Sequence, residues 1–222
     1  MLTVHHLNNS RSQRVLWLLE ELGLPYEIKH YQRDAKTMLA PPELRAVHPL
    51  GKSPVITDGP ATLAETGAIV ETIVDAYGGG RLKPAAGTEE RLRWTYWVHY
   101  AEGSAMPPLL MKLIFMVMPQ RAPGLLKGIV KGIANTAQKT MIDPQLKSHF
   151  DYWETELGKS EWFAGPEFSA ADIMMSFPIE AAADRAGALE GRPRLAAFLK
   201  TIHARPAYQA ALIKGGPYAY AD

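Results

Sequence analysis

The chain has 222 residues, 47% apolar and 21% charged, with 24 basic against 23 acidic side chains and no cysteine. Such a length fits one large or two small domains and buries enough surface to need no covalent staple. A net charge of +1 provides no field for nucleic acid or a membrane surface, and the lack of cysteine excludes disulfides, thiolate metal sites and a protein thiol as nucleophile.

In chain order, Leu2 to Leu7 reads as a strand, followed by a break at Asn8-Asn9-Ser10. Val15, Leu18, Leu19 and Leu22 then repeat at helical spacing, and Gly23 with Pro25 stops that helix. Tyr26 to Tyr31 reads as a second strand, and Ala40 to Val47 as a short helix ended by His48-Pro49-Leu50-Gly51. Val55-Ile56-Thr57 and Thr62-Leu63 flank Asp58-Gly59-Pro60, a hairpin signal. Thr66, Ile69, Val70, Ile73, Val74 and Tyr77 form the stripe of a helix closed by Gly78-Gly79-Gly80. The predicted order is βαβα, then ββα, over residues 1–78, with a linker at 79–87 and an all-helical domain at 88–222. Within that domain Pro107, Pro108, Pro119 and Pro123 predict breaks or kinks. Ser169 with Asp172 predicts a capping box, with Phe168 and Ile173 as its staple, and Leu195, Phe198, Leu199 and Ile202 form a further amphipathic stripe. No secretory leader is visible, and the apolar stretch from Leu109 to Met118, interrupted by Lys112, is too short to cross a bilayer, so a cytoplasmic protein is expected.

No nucleophile elbow, P-loop or dinucleotide fingerprint is present, and the seven histidines include no i, i+4 pair beside a glutamate, so no metal is expected. Residues 112–147 hold six basic residues and one acidic one, read as a solvated helix face. Three features carry chemistry. Ser10-Arg11-Ser12-Gln13 lies where a strand meets a helix N-terminus, which favours an anion. Ser53-Pro54 directly precedes a strand, and a cis bond there would let Val55 offer its backbone N–H and C=O to an extended peptide. Glu65-Thr66 opens a helix with a carboxylate for an amine and a hydroxyl for a carboxylate, which together suit an amino-acid head group.

In this order and spacing the three features resemble the cytosolic glutathione transferase family. The segments that carry the resemblance are SRSQRVLWLLEELGLPYE at 10–27, HPLGKSPVI at 48–56, LAETGAIVETI at 63–73, FSAADI at 168–173 and RPRLAAFLKTIHARPAYQAAL at 192–212. The resemblance implies a thioredoxin-like α/β N-terminal domain followed by an all-α C-terminal domain, with glutathione as co-substrate. It implies that Pro54 is cis, that Val55 pairs with the cysteinyl backbone of glutathione, that Glu65 and Thr66 hold the γ-glutamyl end, and that Lys52 reaches the glycyl carboxylate. Counting back four residues from Arg14 selects Ser10 as the hydroxyl that stabilises the thiolate, with Ser12 and Asn9 as alternatives. The absence of tyrosine from this loop, His48 before Pro49 and HYAEGS at 99–104 are similar to the serine-type bacterial and fungal branch.

Leu7, Asn8, Tyr96, Tyr100, Gly103, Met106 and Met111 are expected to line the pocket for a small hydrophobic electrophile, Tyr96, Tyr100 and Gly103 sharing one helix face at i, i+4, i+7. A homodimer is implied, with no nucleic-acid partner and no membrane span. Conjugation of apolar electrophiles leads; glutathione-dependent reduction of organic hydroperoxides, or a non-catalytic binding module, are the alternatives.

Overall fold

The computed structural model describes residues 1–221. Four strands, β1 (Thr3–Leu7), β2 (Glu27–Tyr31), β3 (Val55–Asp58) and β4 (Ala61–Ala64), form one sheet in the order β2-β1-β3-β4. β1 runs parallel to β2, pairing Thr3 with Glu27, and antiparallel to β3, pairing His5 with Val55. β3 and β4 form the expected hairpin, turned at Gly59, whose φ of 56° suits a residue without Cβ. Helices α1 (Ser12–Leu22), α2 (Pro42–Val47) and α3 (Thr66–Tyr77) complete this first unit in the predicted order.

Helix α1 is buried far beyond its amphipathic stripe: Val15, Leu16, Trp17, Leu18 and Leu19 are all within the core. The reason is its position. It packs on β1 and α3 of the sheet unit and also on α8 (Ala170–Ala186) and α10 (Pro206–Gly215) of the helical unit. The approach of α10 is so close that a Cβ on Gly215 would lie 2.4 Å from Gln13 Oε1.

The helical unit begins with α4 (Glu89–Tyr100), capped by Thr88 Oγ1 accepting from Arg91 N–H. The linker before it is tied down, since the Leu82 carbonyl accepts from Ala170 N–H at 2.9 Å and from Trp94 Nε1 at 3.0 Å. The remaining helices are α5 (Met106–Arg121), α6 (Lys127–Ala137), α7 (Asp143–Glu156) and α9 (Pro193–His203). The predicted helical domain runs to Asp222, which lies outside the described residues.

Two expectations are corrected here. Pro107 and Pro108 do not break the chain: α4 and α5 are joined by a π-helical turn, Ala101–Ala105, and the prolines occupy the first turn of α5. A wider turn lets the helix run on past residues whose rings would clash with carbonyls four positions back. Pro119 lies inside α5 as well, so only Pro123 separates helices. In consequence Glu89–Arg121 is one helix of 33 residues, which by length and composition is enough to cross a bilayer, contrary to the reading of Leu109 to Met118 alone. Its buried side, with Trp94, Trp97, Ala101, Ala105 and Leu109, belongs to the protein core, and a core helix meets the same criterion.

The capping box forms as predicted. Ser169 is the N-cap of α8, its hydroxyl accepts from Ala171 N–H at 3.3 Å, and the Asp172 carboxylate accepts from Ser169 N–H at 2.9 Å.

Candidate active site

Two of the three chemical features of the sequence meet at the junction of β1 and α1. Ser10 Oγ is buried, 2.6 Å from Ser12 Oγ, and receives the Ser12 N–H at 3.2 Å, one of the first donors of α1. It also donates to Ser53 Oγ at 3.2 Å, and Ser53 in turn donates to the His5 carbonyl at 3.1 Å. The Ser53-Pro54 bond is cis, and β3 starts directly after it at Val55. The hydroxyl of the first feature and the Ser-Pro turn of the second are thus in direct contact.

Ser12 is committed elsewhere. Fully buried, it lies 2.9 Å from His6 Nδ1, so its hydroxyl joins β1 to α1. Burial, reinforced by neighbouring His30, pushes His6 down to about 4, against a backbone hydrogen bond at Gly215 that works the other way. His6 is therefore neutral in the folded protein near neutrality. An unfolded histidine titrates near about 6.5, so the unfolded chain takes up the proton first as the pH drops. The stability contributed by the neutral ring is complete above that pH and is lost as the pH falls through about 4, roughly 3 kcal/mol in all. Urea unfolding followed from about pH 7 to about pH 4 is expected to lose that much more stability in the native protein than in His6→Asn.

Asn9 has φ 48°, and its Oδ1 accepts from Ala219 N–H at 2.9 Å, tying the C-terminal segment to the loop. Asn8 is spent on Arg33, whose N–H it binds at 2.9 Å. The side-chain oxygens of both asparagines are therefore engaged by backbone N–H groups.

An ion pair between distant positions, which the sequence does not signal, completes the surroundings. Buried Arg14 donates to the Met174 carbonyl at 2.7 Å and pairs with Glu102 of the π-helical turn. Arg11, the residue before α1, has Nε 3.2 Å from the other Glu102 oxygen, without hydrogen-bond alignment. Burial pushes Glu102 up, but Arg14 and Arg11 outweigh it and hold the carboxyl below its ordinary range. One carboxylate facing two guanidiniums leaves positive charge beside Ser10. Glu65 lies within electrostatic reach of Arg11. It sits at φ 72°, ψ 119° ahead of α3, a conformation that costs a non-glycine residue about 1–3 kcal/mol and is held by its surroundings. Its side chain is exposed, Thr66 beside it is buried, and Lys52 is exposed.

The expected electrophile pocket is only partly assembled. Leu7 belongs to a small core with Tyr31 and Leu44, and Met106 to the main core. Tyr100 is also buried; its hydroxyl accepts from Trp153 Nε1 at 3.0 Å and meets His149 Nδ1, so it faces α7 rather than the loop. Tyr96 stacks on Tyr100, 5.4 Å between centroids, and follows it to that side. Gly103 and Met111 are exposed, Gly103 next to the Glu102 that reaches the two arginines. What lies against the loop instead is α8, whose start the sequence signals but whose position it does not, and the C-terminal segment. Arg11 and Arg14 sit over the Phe177 ring at 5.7 and 5.3 Å. Among the described residues, no group of three or more His, Asp or Glu side chains is placed to hold a metal ion.

A thioredoxin-like sheet unit with a cis Ser-Pro turn, a buried serine at the mouth of its first helix and a helical unit packed against that helix defines a transferase of the glutathione-using class. Residues 10–76 match the family model "Glutathione S-transferase, N-terminal domain" and residues 105–206 the model "Glutathione S-transferase, C-terminal domain". The chain is 34% identical to Glutathione S-transferase 3 of Schizosaccharomyces pombe over 96% of its own length and 88% of that protein. It is 33% identical to Glutathione S-transferase 1 of Saccharomyces cerevisiae, over 95% and 93%. A crystal structure of a glutathione S-transferase from Actinobacillus pleuropneumoniae superposes with a TM-score of 0.80 at 31% identity, covering 99% of this chain and 95% of that one. The protein belongs to the glutathione S-transferase family.

Proposed function

We propose that the protein joins small electrophiles with an apolar body to the sulfur of glutathione, and that Ser10 is the hydrogen-bond donor to the thiolate, as in a serine-type enzyme of the bacterial and fungal kind. The observation that carries this reading is the buried Ser10 hydroxyl, polarised by the Ser12 N–H and in contact with the Ser53-cis-Pro54 turn. The protein supplies no nucleophile, so its task is to favour the thiolate. A free cysteine thiol titrates near about 8.5, and lowering that by about two pH units takes about 2.7 kcal/mol. A hydrogen bond to a charged acceptor provides about 1.5–3 kcal/mol, and a helix N-terminus about 0.3–1 kcal/mol. A hydroxyl and a helix end therefore suffice without a general base, and the positive excess of Arg11 and Arg14 over Glu102 works in the same direction.

The tripeptide lies along the sheet unit, its cysteinyl backbone on Val55, its γ-glutamyl amine and carboxylate on Glu65 and Thr66, and its glycyl carboxylate on Lys52. The sulfur then attacks the electrophile, and the leaving group departs with its bonding pair. The enzyme acts as a cytoplasmic homodimer. Isothermal titration with glutathione tests the binding half of this reading. Saturable binding below millimolar ligand is expected, weakened about tenfold in Glu65→Gln, which loses a charged partner for the amine. Absence of binding at millimolar glutathione would instead make the chain a non-catalytic module of the same fold.

A further inference from the structure

The net charge of +1 conceals a segregation. Residues 103–142 carry five basic side chains, Lys112, Arg121, Lys127, Lys131 and Lys139, and no Asp or Glu. The rest of the chain holds nineteen basic against 23 acidic residues. The second half of α5, the tight turn Gly124–Leu126 and the start of α6 form a helical hairpin within this stretch. No residue from 110 to 133 is buried, although fourteen of those twenty-four are Ala, Val, Ile, Leu, Met or Phe. Leu125 at the bend is 99% exposed, and Ile129 and Ile133, one turn apart on α6, are 64% and 61% exposed. A surface helix ordinarily turns such a stripe to the core, yet α6 buries only Ala134. The expected solvated face over residues 112–147 is therefore corrected: the hairpin is cationic, but it is broadly apolar as well.

Neighbouring carboxylates do not cancel this charge. Lys112 pairs with Asp143 at 2.7 Å, but Arg121, Lys127, Lys131 and Lys139 have no ion-pair partner among the described residues. The elements packed most against α6 are α5, the turn before it and the π-helical turn Gln138–Ile142, and none of them contains Asp or Glu. A second copy related by a two-fold axis would lay this acid-free cationic segment against itself, which like charge opposes. A partner of fixed shape fits poorly too. Ile114 and Met116 are two residues apart, hence on opposite sides of α5, and both are exposed. Apolar surface on both sides of a helix, flanked by unpaired cations, matches a fluid anionic surface.

We infer that the hairpin of α5 and α6 docks the protein on a bilayer that displays anionic phospholipid. Leu125, Ile129 and Ile133 enter the interfacial layer, and Arg121, Lys127 and Lys131 face the headgroup phosphates. The attachment is peripheral and spans nothing: buried apolar area and attraction to anionic headgroups together hold the hairpin on the surface. The remainder of the chain, net negative, is repelled by the same surface, which orients the molecule with the hairpin towards the lipid. The inference does not depend on the chemistry proposed at Ser10.

The test is flotation of the full chain with vesicles of phosphatidylcholine, alone or with about one third phosphatidylserine. The native protein is expected to partition onto the anionic vesicles about tenfold or more above the neutral ones at about 0.1 M salt, with the excess shrinking at about 0.5 M. Lys127→Gln with Lys131→Gln lowers partition onto the anionic vesicles about fivefold for each lysine. Leu125→Gln with Ile129→Gln lowers it about tenfold or more. All four side chains are exposed, so the urea midpoint of both double variants stays at the native value. Flotation with neither vesicle, or equal flotation of the native protein and both variants, would overturn the inference. So would capture by soluble polyglutamate without binding to vesicles, which would make the partner an acidic polypeptide. A native oligomer that ignores vesicles and is split by Leu125→Gln with Ile129→Gln in light scattering would overturn it as well, the second copy then covering the face.

Discussion

Ser10→Ala is expected to lower kcat/KM for glutathione conjugation about ten- to a hundredfold and to move the acid limb of its pH profile up by about one to two pH units. Both follow from the same lost bond. The Ser10 hydroxyl has other hydroxyls as its neighbours, Ser12 Oγ at 2.6 Å and Ser53 Oγ at 3.2 Å, whereas the Ser12 hydroxyl also meets His6 Nδ1 and the side-chain oxygens of Asn9 and Asn8 are tied to Ala219 and Arg33. Removing Ser10 Oγ leaves the Ser12 N–H and the helix end, worth about 0.3–1 kcal/mol, as the remaining stabilisation of the anion. Glutathione affinity should change far less than kcat, because the recognition of its ends proposed for Glu65, Thr66 and Lys52 is untouched. A variant with an unmoved pH profile would remove Ser10 from the mechanism, and a larger loss in Ser12→Ala with intact folding would transfer the role to Ser12.

Asp172→Ala is expected to cost about 3–5 kcal/mol of stability with no direct effect on chemistry. Asp172 is fully buried, and its carboxylate accepts from Phe163 N–H at 2.8 Å, from Ser169 N–H at 2.9 Å and from the Ser169 hydroxyl at 3.1 Å. Burial pushes its carboxyl up to about 6 in spite of these donors, so the charge is retained only because all of them converge on it. Alanine would leave two buried N–H groups unpaired, each worth about 1–3 kcal/mol, and would open the N-cap of α8. That helix touches α1, α4 and α5, so the loss should appear as a lower midpoint of the whole urea transition rather than as local fraying. A loss below about 1 kcal/mol would show that the box is dispensable.

Features encoded within a few residues were legible in the sequence. The capping box spans four positions, the α1 stripe one heptad, and the hairpin turn at Gly59 two strands adjacent in the chain. Ser10, Ser53-Pro54 and Glu65 were legible as types of residue, and the fold places the first two in contact. What was lost has a common physical cause, which is long-range geometry. Arg14 and Glu102 are separated by 88 positions, and no periodicity links them. The aromatic ending Tyr218-Ala-Tyr220 gave no hint that it would fold back over Asn9. Tyr96, Tyr100 and Gly103 were placed on one face by regular α-helical spacing, but the π-helical turn at Ala101–Ala105 shifts the register, and Tyr100 packs towards α7. The same turn explains why Pro107 and Pro108 bend the rule that proline ends a helix.

The most direct test is the ultraviolet difference spectrum of the protein mixed with glutathione near about pH 6.5, where free glutathione is almost entirely thiol. A thiolate band of about half an equivalent per active site in the native enzyme, and strongly reduced in Ser10→Ala at saturating glutathione, is the expected result. No band in the native enzyme, or a band of equal size in Ser10→Ala, would contradict the assignment of the buried serine at the mouth of α1 as the group that holds the sulfur anion.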